Sequence, residues 1–299
     1  MKITRLLSSM FALTLCLVVL TSASFAKNHL NNPIGLAVDS AGNLYVANQG
    51  ANQILVYNSG YVQQTAKTIS GASVVTPTGL AIDPYGNLWV ANYGASNGGA
   101  QGSITEYTGG VLQSGNTITN GIVGPQNMAF DGNGDLWVNN NSGSLTMYSP
   151  ASAFATPSSL VQTISISNFW AVGEAAGGLF TGTSTSLCAG SASAILLGGT
   201  STCDFGGIGP TVAFAADNNG GLFAATLTGN NDVLYVYGAG SFFTFKSLPF
   251  TNGFNESGMA VDNVKHRLYV SNRAGNTILV YSLASTNYGA LIHTIPTTG

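Results

Sequence analysis

Charge is the scarcest property of this 299-residue chain: Asp, Glu, Lys and Arg together make up 6% of it, against about 25% in an average globular protein. The shortage is sharpest for basic residues. Eight Lys and Arg are scattered along the whole length, whereas nucleic-acid binding needs them clustered to displace counterions, and a polybasic membrane patch needs the same clustering. Nucleic acid and membrane surface are excluded as partners on that ground. Histidine is also rare, and His29, His266 and His293 include no pair at metal-ligand spacing. Cysteine occurs three times, at 16, 188 and 203. Beyond residue 26 no apolar run approaches the roughly 20 residues that span a bilayer.

One long apolar run does stand at the start. Met1-Lys2-Ile3-Thr4-Arg5 carries two positive charges, Leu6 to Leu20 is mostly apolar, and small residues follow at Ser24 and Ala26. That order is a secretory signal cleaved after Ala26. Residues 1–26 are therefore expected to be removed, and 27–299 to form a single domain in the periplasm or outside a bacterial cell. Without Lys2 and Arg5, six basic residues face eleven acidic ones, a net charge of −5. Cys16 leaves with the signal, and Cys188 and Cys203, in an oxidising compartment, are expected to form one disulfide.

What the chain has in abundance is repetition. Pro33-Ile34-Gly35-Leu36-Ala37-Val38-Asp39-Ser40-Ala41-Gly42-Asn43-Leu44-Tyr45-Val46-Ala47-Asn48 returns as Pro77-Thr78-Gly79-Leu80-Ala81-Ile82-Asp83-Pro84-Tyr85-Gly86-Asn87-Leu88-Trp89-Val90-Ala91-Asn92. A third copy runs from Pro125 through Asp131 to Trp137, and weaker copies centre on Glu174, Asp217 and Asp262. Between these six acids the steps are 44, 48, 43, 43 and 45 residues. A period in the low-to-mid forties that holds several short strands is that of four-stranded propeller blades. The fold expected is all-β, a six-bladed propeller of antiparallel blades.

Within the first copy the strands read as 35–39, 43–48, 53–58 and a stretch around 65–70. They are short, rich in β-branched and aromatic residues, and separated by Gly and Asn. The first strand of each copy is almost entirely apolar or small, which suits an inner strand buried on both faces. Gly35, Gly79 and Gly258 recur where inner strands crowd together. In Asp39-Ser40-Ala41-Gly42 the carboxylate is placed to accept backbone N–H groups of the turn, with the glycine in the left-handed region. The six acids are read as turn devices rather than a metal ring, and Asp83→Ala should cost about 1 kcal/mol. Tyr45, Trp89, Trp137 and Tyr269 share one place in the second strand and are read as packing between blades. Each copy holds its own four strands, so closure falls to packing between the first and last blades.

The pattern Pro-x-Gly-[Leu/Met]-Ala-[Val/Ile]-Asp-x-x-Gly-Asn-Leu-[Tyr/Trp]-Val-Ala-Asn resembles the NHL repeat, from about Pro33 to Pro296. Relatives of that fold include gluconolactonase-type lactonases, streptogramin lyases and peptide-amidating lyases, all enzymes with metal or histidine chemistry. In the lactonases the resemblance implies divalent-metal ligands near the start of the inner strands. Ile34, Thr78, Gln126, Phe169 and Ser257 stand there in this chain, and a hard cation wants several converging carboxylate or carbonyl oxygens. Gln126, Asn127 and Glu256 are the nearby oxygen ligands other than hydroxyls, and with Trp170, which takes the place of the repeat glycine, they are the candidate channel-lining residues. No Gly-x-Ser-x-Gly elbow stands in a strand-to-helix setting.

The functional expectation is a non-catalytic scaffold, without cofactor, that acts as a monomer and binds a protein, small-molecule or carbohydrate ligand. Residues 145–209, the least regular stretch, are expected to carry specificity. One alternative is a calcium- or other metal-dependent lactonase or lyase with drifted ligands. Another is a structural surface or assembly protein.

Overall fold

A computed structural model describes residues 29–94, 102–149, 160–165, 169–175, 178–183, 187–190, 211–217, 222–228, 231–237, 245–249 and 258–296, several of them as backbone only. The first sheet contains β1 (Pro33–Val38), β2 (Leu44–Asn48), β3 (Gln53–Tyr57) and β4 (Ile69–Ser70). The second contains β5 (Pro77–Ile82), β6 (Leu88–Asn92), β7 (Ser103–Thr108) and β8 (Val111–Leu112). The third runs through β9 (Pro125–Phe130), β10 (Leu136–Asn140), β11 (Ser144–Tyr148) and β12 (Leu160–Ser165). In the fourth, three strands are described: β13 (Phe169–Ala175), β14 (Gly178–Thr183) and β15 (Leu187–Gly190).

The fifth sheet is β16 (Thr211–Ala216), β17 (Leu222–Thr228), β18 (Asn231–Tyr237) and β19 (Phe245–Pro249). The sixth is β20 (Met259–Asp262), β21 (Arg267–Asn272), β22 (Thr277–Ser282) and β23 (Leu291–Ile295). All pairings are antiparallel between successive strands. Each repeat thus folds as one meander, as short strands joined by turns should. The fourth strand of the first sheet is shorter than its sequence suggests. Residues 65–67 form a 3-10 turn, in which Lys67 N–H donates to the Gln64 carbonyl and Thr68 N–H to that of Thr65.

The first strands pack in cyclic order, β1 on β5, β5 on β9, β9 on β13, β13 on β16, β16 on β20, and β20 back on β1. Six sheets among the described residues therefore close a ring, the arrangement of a propeller. The crowding falls on glycine. A Cβ on Gly35 would lie 2.2 Å from the Thr78 carbonyl oxygen, and one on Gly258 2.1 Å from that of Ile34. Apolar side chains bury between neighbouring sheets: Val90 and Tyr107 with Ile54 between the first and second, Trp89 and Tyr148 with Val138 between the second and third. Removing this surface from water supplies roughly 25 cal/mol per Å² of driving force.

Closure uses the same contacts as an internal seam. Between the first two sheets, Thr76 N–H donates to Asn52 Oδ1 at 2.7 Å, and between the last and first, Asn32 N–H donates to Asn276 Oδ1 at 2.6 Å. Both accepting asparagines are left-handed, at φ 50° and 49°, a conformation asparagine tolerates better than most residues. Leu36, Leu55 and Val46 of the first sheet share a core with Tyr269, Ile278 and Val280 of the sixth. The closing seam adds both arginines that follow residue 26. Arg267 donates to the Ser59 carbonyl at 2.7 Å and lies over the Tyr61 ring, which also stacks on His293 and meets Tyr269 edge-on. Arg273 donates to Asn32 Oδ1 and Gln49 Oε1.

Candidate functional site

Two faces result from the register. The hairpin turns carrying the repeat acids lie at one end of the first strands, the turn face. Strand starts and second-strand ends lie together at the other, because Pro33 pairs with Asn48 and Pro77 with Asn92; this is the asparagine face.

On the turn face the carboxylates are consumed by their own hairpins. Asp83 accepts from Tyr85 N–H, Asn87 N–H, the Asn87 amide and Trp89 Nε1–H, at 2.8 to 3.0 Å. Asp39 does the same with Ala41, Asn43 and the Tyr45 hydroxyl, and Asp131 with Asn133, Asp135 and Trp137. Gly42, Gly86 and Gly134 take φ of 78°, 87° and 82° to close these turns. Burial, with the Asp39 charge and hydrogen bond behind it, pushes the Tyr45 hydroxyl up to about 12. Trp137 and Trp89 are buried and serve the core and the turn together. Asp262 departs from the set. Its turn to Tyr269 is one residue longer than that from Asp39 to Tyr45, His266 takes the left-handed place, and Oδ2 is buried without a hydrogen-bond partner.

One buried acid on this side lies outside the repeat pattern. Opposite the second-strand aromatic the third strand carries Val56, Met147, Val236 and Val280 in the first, third, fifth and sixth sheets, and Glu106 in the second. Glu106 is 2% exposed and accepts from the Asn116 amide at 2.5 Å. Burial raises its carboxyl above the usual range against the pull of that hydrogen bond, and the Asp83 charge adds to the rise. Glu106 lies outside the Asp-x-x-Gly core by which the repeat is recognised, so the repeat alone gives no sign of it.

On the asparagine face the terminal asparagine of the second strand has a fixed task in the first three sheets. Asn48, Asn92 and Asn140 accept, through Oδ1, the N–H of Asn31, Val75 and Val123, each 17 residues earlier. The repeat shows these asparagines, but only the fold shows what they hold. Against this regular frame the third sheet differs: Gln126 and Asn139 stand where the first copy has Ile34 and Ala47. The buried Asn139 amide donates to Gln126 Oε1 at 3.4 Å, Gln126 Nε2 to Asn141 Oδ1 at 3.2 Å, and Asn141 Nδ2 to the Tyr93 hydroxyl of the second sheet at 2.8 Å. Asn141 is exposed, Gln126 and Tyr93 half-buried. The result is a neutral chain of amides that crosses a seam and ends on a phenol.

Of the candidate residues, Gln126 joins this chain, and Asn127 sits half-buried beside it, its Cα 3.1 Å from where a Gly79 Cβ would be. Trp170 is described only as backbone of β13, Cys188 only as backbone of β15, and Glu256 and Cys203 lie outside the described residues, as do residues 1–26, which the sequence reading assigns to a signal. A divalent ion at the strand starts does not fit what is described there. Ile34 has no side-chain oxygen, and Thr78 brings a single neutral hydroxyl, which donates to the Pro125 and Ala91 carbonyls at 2.7 and 3.2 Å, where a hard cation wants several carboxylate or carbonyl oxygens. Among the described residues no three His, Cys, Asp or Glu gather as metal ligands, and no helix is long and apolar enough to cross a membrane.

The NHL repeat matches residues 30–57. No curated protein matches the chain. Solved structures of similar fold include a catalytically inactive virginiamycin B lyase from Staphylococcus aureus with quinupristin, at 13% identity and TM-score 0.56 over 80% of this chain and 76% of that one. A gluconolactonase from Xanthomonas campestris aligns at 14% identity and TM-score 0.57 over 82% and 84%. The hydrazine synthase of Kuenenia stuttgartiensis aligns at 13% and 0.59 over 92% and 89%. The chain thus carries an NHL repeat on a β-propeller fold shared with a streptogramin lyase and a gluconolactonase.

Proposed function

We propose that this chain is an exported, monomeric binding scaffold that takes its ligand on the asparagine face and performs no chemistry on it. The observation that carries the reading is the hydrogen-bonded chain from Asn139 to Tyr93. It is built by residues that break the repeat, while the residues that keep the repeat are spent on turns and strand starts. A residue kept in every blade serves the scaffold they share; a departure on an exposed face is free to serve a ligand. The lyase solved with quinupristin lends support, since the same architecture there holds an organic ligand. Trp170 and Glu256, and a disulfide between Cys188 and Cys203, belong to the same proposal.

A metal-dependent lactonase would need several oxygen ligands converging at the strand starts, and the apolar Ile34 with the lone neutral hydroxyl of Thr78 argues against it. An assembly role draws on the outer strand β23, where Leu291 and Ile292 are 53% and 43% exposed, since an exposed strand edge invites pairing. Turnover of lactones and of cyclic depsipeptides, assayed with divalent ions and with chelator, is expected to stay at background. Chelator-sensitive turnover would refute the scaffold reading, and a sedimentation coefficient that grows with concentration would favour assembly. Thiol titration of denatured, unreduced protein should find no reactive group.

A further inference from the structure

The amide chain also indicates what kind of ligand it meets, and this step rests on the scaffold reading above. Three members of the chain, the exposed Asn141 and the half-buried Gln126 and Tyr93, keep hydrogen-bonding capacity after their internal bonds are made. Gln126 and Asn141 each retain a second amide N–H and a second carbonyl lone pair, and Tyr93 retains its hydroxyl proton. Every one of the three can therefore donate and accept at once. A sugar hydroxyl has the same double character, one donor and two lone pairs, and adjacent hydroxyls on a ring repeat it at short intervals.

Charge argues the same way. The asparagine-face loops among the described residues carry one charged side chain, Arg273, and it is committed to Asn32 and Gln49 at the closing seam. An anionic ligand would find no other cation there. A peptide bound as an added strand would need a free sheet edge with pockets for alternate side chains, and the chain lies instead across the ends of β6, β9 and β10. The Tyr93 ring, half-buried at the end of the chain, offers an apolar face next to its polar tip.

We infer that Tyr93, Gln126 and Asn141, held in place by the buried Asn139, form a subsite for a neutral carbohydrate. The internal bonds orient the amides before the ligand arrives, which lowers the entropy lost on binding. A shallow site with few hydrogen bonds should bind with Kd on the order of 1 mM.

The test is saturation-transfer NMR and calorimetry on the purified protein with cellohexaose, xylohexaose and mannohexaose, beside a galacturonate oligomer and an uncharged Gly/Ser/Asn peptide. The variants are Asn141→Ala, Tyr93→Phe and Tyr93→Ala, with Ser40→Ala on the turn face as control, each checked for unchanged melting temperature. At least one neutral hexasaccharide should bind, more than tenfold weaker in Asn141→Ala and Tyr93→Ala, less reduced in Tyr93→Phe, and unchanged in Ser40→Ala. No binding of any neutral hexasaccharide, preference for the galacturonate, or binding indifferent to Asn141→Ala would overturn the inference. If the peptide alone binds and Asn141→Ala weakens it, this inference fails and the scaffold reading stands; chelator-sensitive turnover would remove the scaffold reading itself.

Discussion

The two faces of this ring are made from the same repeat yet use polar residues in opposite ways. On the turn face, Asp39, Asp83 and Asp131 recur in register and give their oxygens to the hairpins that carry them, as Asp83 does with four donors. On the asparagine face the recurring asparagines are likewise spent, but Gln126, Asn141 and Tyr93 differ from blade to blade and keep valences for something else. A carboxylate that recurs at the Asp-x-x-Gly turn therefore marks the hairpin, and an amide that breaks the repeat is the better pointer to a ligand. The rule that emerges is to subtract the repeat first and read function from the remainder.

That contrast can be broken at several points. The most damaging change is expected where neither face is involved but both depend on the ring: Gly258→Ala and Gly35→Ala force a Cβ onto a backbone carbonyl at about 2 Å. Overpacking of backbone against backbone should cost about 3 kcal/mol or more, read as loss of soluble folded protein or of the thermal transition. Next comes Asp83→Ala. It strands two turn N–H groups and the buried Trp89 indole N–H, so the cost rises from the roughly 1 kcal/mol of one lost hydrogen bond to about 2–4 kcal/mol, measured by urea denaturation. Asp83→Asn should fall between the two.

Glu106→Gln probes the buried acid that the repeat does not demand. A carboxyl whose folded pKa is raised binds more protons in the native than in the unfolded state. Stability then falls as pH rises from the ordinary carboxylate value through the raised one, and is level above it. Burial raises Glu106 in this direction. The variant should melt higher than the parent at neutral pH and show no such gain at pH 3, in paired thermal melts. The smallest effects on stability belong to the asparagine face: Asn141→Ala and Tyr93→Phe should move the unfolding free energy by about 0.5 kcal/mol or less, whatever they do to a ligand.

Much of the architecture was legible from residue order alone. The spacing of six acids gave the sheets, the Asp-x-x-Gly tetrad its hairpin, and the recurring Gly35 and Gly258 the crowded inner strands, because each of these is a local or periodic property. What escaped was long-range. Nothing in the sequence pairs Arg267 with Ser59 or Asn32 with Asn276, 208 and 244 residues apart, and so the two arginines read as scattered charge rather than as clamps on the closing seam. Gln126 was singled out for its oxygen, as a potential metal ligand. Its real neighbours, Asn139 and Asn141, come from the next strand and the loop beyond, and their bonding makes it one member of an amide chain.

If the repeat carboxylates are structural, no ion organises this ring. Metal content of the purified protein by mass spectrometry, paired with a thermal melt in calcium, tests it most directly. The purified protein should carry no stoichiometric ion and show no calcium-dependent shift in melting temperature. A stoichiometric ion whose loss in Asp83→Asn abolishes a calcium-dependent stabilisation would contradict it.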